Sequence, residues 1–249
     1  MTDEGNSVHK NWVKITHWIG TISFFALTVS GFAILMVHPR LYWGETGNDL
    51  TPALLELPIS RNHQHDGWTK DVAFFERSNS PVSASRTYEI FNENSWGRSL
   101  HFLSAWVLVA TGAFYIISAL VTKHLQRNLV PGRKERNIHL FLNDIINHIK
   151  FRIPVTTGGP HYGLLQKTTY LCVLLFLVPV MVLTGLTMSP AVTAAYPFLL
   201  AMFFGAQSAR TIHFLVAVVL VIFLIMHLIM IIKSGFKDNI RSMTVGKMK

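Results

Sequence analysis

The chain has one cysteine, Cys172, and it sits inside an apolar run. A single thiol excludes a disulfide framework, an iron–sulfur cluster held by four cysteines, and covalent c-type haem attachment, which needs paired cysteines before a histidine. Charge is scarce as well. Only 14% of the 249 residues are Asp, Glu, Lys or Arg, whereas 50% are hydrophobic, and a soluble domain would carry nearly twice that share of charge. No internal repeat, low-complexity tract, paired-carboxylate motif or nucleophile motif is present, so any chemistry must come from a cofactor. The net charge of +9 does not point to nucleic acid, because the basic residues fall on particular loops.

What is abundant is long apolar runs. Four of them are long enough to cross about 30 Å of hydrocarbon at about 1.5 Å per residue: roughly residues 15–37, 100–122, 165–188 and 211–232. The first is too long for a signal peptide and has no small-residue cleavage site after it, so it is expected to be retained. Trp12, Trp18 and Trp96 lie near span ends, where indole prefers the interface. The expected fold is all-α: one integral membrane four-helix bundle over residues 1–249, with the lipid bilayer as its solvent.

Loop charge sets the orientation. The N-terminal segment carries Lys10 and Lys14, and the tail carries Lys233, Lys237, Arg241, Lys247 and Lys249. The connection between the second and third spans carries Lys123, Arg127, Arg133, Lys134, Arg136, Lys150, Arg152 and Lys167 against Glu135 and Asp144. The positive-inside rule therefore places both termini and the middle connection in the cytoplasm, in a bacterial inner membrane. Residues 39–95 form a long periplasmic loop rich in aromatics (Tyr42, Trp43, Trp68, Phe74, Phe75, Tyr88, Phe91). Such a loop serves equally as a self-packed lid or as a docking surface. On the cytoplasmic side Ile138, Phe141, Leu142, Ile145, Ile146 and Ile149 recur at helical spacing and predict an amphipathic helix over 138–149 lying in the interface.

Four of the twelve histidines lie in or at the start of spans: His17, His101, His213 and His227. An unpaired polar side chain in hydrocarbon is costly, so each needs a reason. His213 and His227 are 14 residues apart, about 21 Å along a helix, and successive steps of about 100° per residue leave them within roughly 40° of one direction. One helix face thus presents an imidazole near each membrane surface. In the deduced topology His17 starts the first span at the level of His227, and His101 starts the second at the level of His213. Two histidines from different helices at each depth are what a six-coordinate b-type haem requires. Lys14, Arg98 and Arg210 each stand three residues before one of these histidines, on the same helix face and one turn nearer the surface, where propionates need a charge partner. Ordinary interfacial snorkelling would also place a single cation there. Gly31, 14 residues beyond His17 on the same face, and Gly112, on the face of His101, offer room for a flat macrocycle beside the backbone, although helix packing uses glycine in the same way.

His-Trp opening the first span, Gly-Arg-x-x-His opening the second, and Arg-x-x-His with a further histidine 14 residues on in the fourth resemble the bacterial dihaem cytochrome b561 superfamily. That group includes the cytochrome b subunits of nickel–iron hydrogenases, formate dehydrogenases and thiosulfate reductases. The resemblance covers all four spans and implies two haems b, with His17 and His227 on the inner iron and His101 and His213 on the outer. The loop that begins His-Pro-Arg-Leu-Tyr-Trp-Gly-Glu-Thr-Gly looks most like the thiosulfate-reductase-like branch, whose partners are often molybdenum-containing. Relatives show Tyr-Asn-x-x-Gln-Lys at a quinone site entering the third span. Here Tyr162, Gln166 and Lys167 remain, with Gly163 in place of the asparagine.

These observations lead to an electron-transfer subunit linking a periplasmic redox partner to quinone. Two alternatives stay open: a stand-alone membrane cytochrome b oxidoreductase acting on a small diffusible species, and a haem-free transporter with proton-relay histidines.

Overall fold

The computed structural model describes residues 10–48, 51–59, 94–126, 130–131, 138–149 and 164–244. Most of the aromatics expected in the long loop after the first span (Trp68, Phe74, Phe75, Tyr88 and Phe91) and Tyr162 lie outside the described residues.

Among the described residues, four helical stretches are long and apolar enough to cross a membrane: Asn11–Val37, Trp96–Val121, Leu164–Thr187 and Ala206–Lys233. They begin a few residues earlier than hydropathy alone indicates, because their first turns carry polar interfacial residues such as Asn11 and Arg98. Apolar side chains along them point outward, with Ile22 69% and Leu103 64% exposed. That is the pattern of helices whose solvent is lipid.

Helix α1 (Asn11–Val37) stops before His38-Pro39, since the residue preceding proline is biased away from helical backbone. A two-stranded antiparallel hairpin follows, β1 (Arg40–Leu41) and β2 (Leu55–Glu56), pairing Arg40 with Glu56 and Leu41 with Leu55. Helix α2 (Asn94–Val121) is the second span, and α3 (Ile138–Ile149) is a short amphipathic helix. The third span has three parts: α4 (Leu164–Cys172), a π-helical turn over Val173–Leu177, and α5 (Val178–Thr187). Pro179 explains the wide turn. It lacks an N–H and its ring crowds the carbonyl four residues back, and a local π adjustment reconnects the backbone. The Val178 N–H accordingly donates to the Val173 carbonyl. Two short helices, α6 (Pro190–Ala195) and α7 (Phe198–Met202), lead into the fourth span, α8 (Ala206–Lys233). Gly235, with φ +110°, turns the chain into α9 (Phe236–Thr244), as glycine does just past a helix end.

The chain divides into two compact units. The first comprises residues 1–20, 110–179 and 219–249, and the second residues 21–109 and 180–218. In the first unit, Trp12 packs against Tyr115 and His124, with centroids 5.5 Å and 5.4 Å away. Burial lowers the His124 pKa below the usual imidazole value, and the charge of Lys10 lowers it further. Trp18 Nε1 donates to the Met243 carbonyl at 3.0 Å, tying α9 to α1. The Asp144 carboxylate on α3 accepts the Leu165 N–H at 3.2 Å, a negative group at the positive end of α4.

In the second unit, the segment after β1 is fastened to the start of α8. The Gly44 carbonyl accepts the Gln207 and Ser208 N–H groups at 3.0 Å and 3.2 Å, and the Gly44 N–H donates to Ser208 Oγ at 2.6 Å. These bonds satisfy helix-terminal donors that otherwise lack partners. Thr211 Oγ1 adds a buried bond to the Tyr42 carbonyl at 2.6 Å, and Trp43 stacks on Phe204.

Candidate functional site

Two imidazoles face each other in the second unit. His101 projects from the second turn of α2 and His213 from the second turn of α8, with ring centroids 6.3 Å apart and planes inclined at 58°. A metal ion held between two imidazoles needs bonds of about 2 Å on each side, and each ring adds about 1 Å, so centroids about 6 Å apart suit one shared ion. His101 Nδ1 lies 3.1 Å from Ser30 Oγ on α1, and His213 Nδ1 lies 2.9 Å from Thr184 Oγ1 on α5. Both hydroxyl residues are fully buried. Glycine adjoins each of them: a Cβ on Gly31 would lie 3.4 Å from His101 Cε1, and one on Gly185 3.5 Å from His213 Cε1. Nothing stands within 4 Å of such an atom at Gly112, so that glycine borders open space.

The basic residues one turn from these histidines differ from each other. Arg98 is exposed on α2. The Arg210 guanidinium donates to the His38 carbonyl and lines a cavity of about 230 Å³ with His38, Arg40, Tyr42, Gly47 and Asn48. Two arginines and a histidine around one cavity favour an anionic group.

In the first unit, His17 lies edge-on to Trp18 at 5.5 Å. His227 stacks on Phe223 at 5.9 Å and meets Tyr170 edge-on at 6.3 Å. Lys14, one turn from His17, is buried, and so is Lys167 on α4, with Gln166 half-buried beside it. An ammonium withdrawn from water needs an anionic or polar partner, which suits Lys14 to a carboxylate and Lys167 to a polar head group.

Sequence reasoning missed Ser30, Thr184, Gly185 and Tyr170. Thr184 and Tyr170 are 14 residues apart on the third span, the spacing of His213 and His227 on the fourth. That matched interval was the available signal.

Membrane-length helices carrying paired imidazoles, with neither thiolate nor carboxylate in the pair, define a membrane haem protein of electron transport. The model of the prokaryotic cytochrome b561 family matches residues 8–246. The chain belongs to this family, whose members are helical membrane bundles that bind b-type haem. It is similar, at 22% identity over 231 residues, to the "Putative protein-methionine-sulfoxide reductase subunit YedZ1" of Azospira oryzae, with 93% of each chain covered. No solved structure matches the chain.

Proposed function

We propose that this multi-pass membrane protein binds two b-type haems, one between His17 and His227 and one between His101 and His213. In this reading it carries electrons between a periplasmic redox partner and the quinone pool of a bacterial inner membrane. The observation that carries the proposal is the facing pair His101 and His213, 6.3 Å apart, together with the recurrence of histidine 14 residues along α8. Each bound haem would supply reversible one-electron chemistry, and holding it between two histidines would favour electron transfer over oxygen chemistry.

The chain's own residues have distinct tasks. The four imidazoles hold the metal, and Lys14, Arg98 and Arg210 neutralise propionates. Gln166 and the buried Lys167, with Tyr162, offer hydrogen-bond donors to a quinone head group, and α3 flanks its approach from the bilayer. Loop charge supports cytoplasmic termini, which puts residues 39–95 on the periplasmic side. There Trp43, 54% exposed, stacks on Phe204, 69% exposed, an aromatic surface of the kind enriched at protein interfaces. The resemblance to the thiosulfate-reductase-like branch and the reductase-subunit name of the Azospira relative both favour a periplasmic catalytic partner, with a molybdenum enzyme as the class to test first.

The test uses purified protein in lipid vesicles with a quinol as reductant. Lys167→Ala should slow haem reduction by quinol about tenfold, the loss of a charge-assisted hydrogen bond of roughly 1.5 kcal/mol, while both haem spectra stay intact. Unchanged turnover would move the quinone site away from Lys167 and toward His101 and His213.

A further inference from the structure

Two hydroxyl–glycine pairs stand in the same relation to the two imidazoles of the second unit, and they come from different spans. Ser30–Gly31 on α1 meets His101, and Thr184–Gly185 on α5 meets His213. In each pair the hydroxyl oxygen faces Nδ1 and the glycine backbone lies along the Cε1 edge of the ring.

The proton positions follow from the other bonds of the hydroxyls. Ser30 Oγ lies 2.6 Å from the Ala26 carbonyl, and Thr184 Oγ1 lies 2.7 Å from the Val180 carbonyl. A carbonyl oxygen only accepts, and a hydroxyl has one hydrogen. Two oxygens at that distance without a hydrogen between them would repel, so each hydroxyl donates to its own helix backbone. Its oxygen then has only lone pairs left for the imidazole, so Nδ1 must be the donor; the Leu27 and Met181 carbonyls, which also meet His101 and His213, only accept and favour the same tautomer. A neutral imidazole protonated at Nδ1 has a bare lone pair at Nε2.

Back-bonding of a buried Ser or Thr to the carbonyl four residues earlier is common in helices and is not itself a site. What sets these two apart is that the same oxygen also meets an imidazole nitrogen, twice, with glycine next in sequence each time. The glycines fit the ring closely. A methyl at either position would already be in van der Waals contact with Cε1, so a β-branched side chain would displace the imidazole.

We infer that Ser30–Gly31 and Thr184–Gly185 are positioning pairs that hold His101 and His213 in the Nδ1–H tautomer with Nε2 directed to the metal. The inference rests on the reading of these two histidines as haem ligands. A histidine that donates its second N–H to an oxygen is a more basic ligand, and a more basic ligand favours the oxidised metal. The hydroxyls therefore lower the potential of the haem they serve.

Redox titration and low-temperature EPR of the purified full-length protein test this. Thr184→Val keeps the side-chain shape and removes the hydroxyl. It should retain two haems yet raise the reduced-to-oxidised ratio of one of them about tenfold at fixed ambient potential, about 59 mV for a one-electron couple, with altered low-spin g values for that haem. Ser30→Ala should shift the same haem in the same direction, and Thr184→Ser, which restores the hydroxyl, should return both signals to the native values. If Thr184→Val costs the haem altogether while Thr184→Ser keeps it at native potential, the hydroxyl is again shown to be what matters. The inference is overturned if Thr184→Val and Ser30→Ala keep two haems with native potentials and g values, or if Thr184→Ser behaves like Thr184→Val. Failure of the ligand reading looks different: His213→Ala would then leave the haem content unchanged.

Discussion

Replacing Gly205 with alanine should release residues 42–45 from the start of α8. A Cβ at this position would lie 2.5 Å from both the carbonyl carbon and the oxygen of Gly44 and 2.7 Å from the Glu45 nitrogen. These are backbone atoms that cannot swing aside as a side-chain tip can. Gly205 also has φ +110°, where a residue with a side chain is strained by about 1–3 kcal/mol. Moving the segment away loses the bonds between Gly44 and Gln207 and Ser208, each contributing about 1 kcal/mol net. Those bonds are lost on detachment in wild type and variant alike, so what the variant adds is the strain of the attached state, and about 3 kcal/mol of it raises the detached population roughly a hundredfold. Limited proteolysis of the detergent-solubilised protein reads this directly, because cleavage that samples an opened state tracks its population. Cutting within residues 42–59 should accelerate strongly in Gly205→Ala. Haem content should stay near native, since His213 lies two turns further along α8. Native proteolysis rates in Gly205→Ala would refute the reasoning, for they would show that Gly44 does not depend on this close approach.

Further predictions concern the first unit and the aromatic surface. His17→Ala and His227→Ala should each abolish the same redox component in a potentiometric titration; loss of different components would overturn that pairing. Trp43→Ala combined with Phe204→Ala should slow electron exchange with the proposed periplasmic partner at least severalfold while the optical spectrum of the bound haem stays native. A native exchange rate would remove the stacked rings from the docking surface.

The parts of this fold set by bulk apolarity and periodicity were readable from the residues, and the parts set by single contacts were not. Four spans follow from run length, and the helix Ile138–Ile149 follows from six apolar residues on one face. The four span histidines are conspicuous because polar groups are rare in hydrocarbon. The π-helical turn at Val173–Leu177 escaped notice although Pro179 announces a disturbed ladder, because proline tells where a helix is perturbed and not how the backbone responds. Ser30 and Thr184 escaped because a serine or threonine in an apolar helix normally satisfies itself on its own backbone; only the placement of His101 and His213 gives their oxygens a second partner. Gly31 stood out through its spacing from His17, yet in the fold it lies against His101, from another helix. Gly112 shares the face of His101 and still borders open space. Face periodicity says which way a residue points, and not what stands opposite.

Haem quantification per polypeptide, on wild type and on His101→Ala and His213→Ala, bears most directly on the central claim. Two haems b per wild-type chain are expected, both with low-spin bis-histidine spectra, and one per chain in each variant, with the same haem missing from both. One haem per wild-type chain, a high-spin native signal, or different haems missing from the two variants would contradict it.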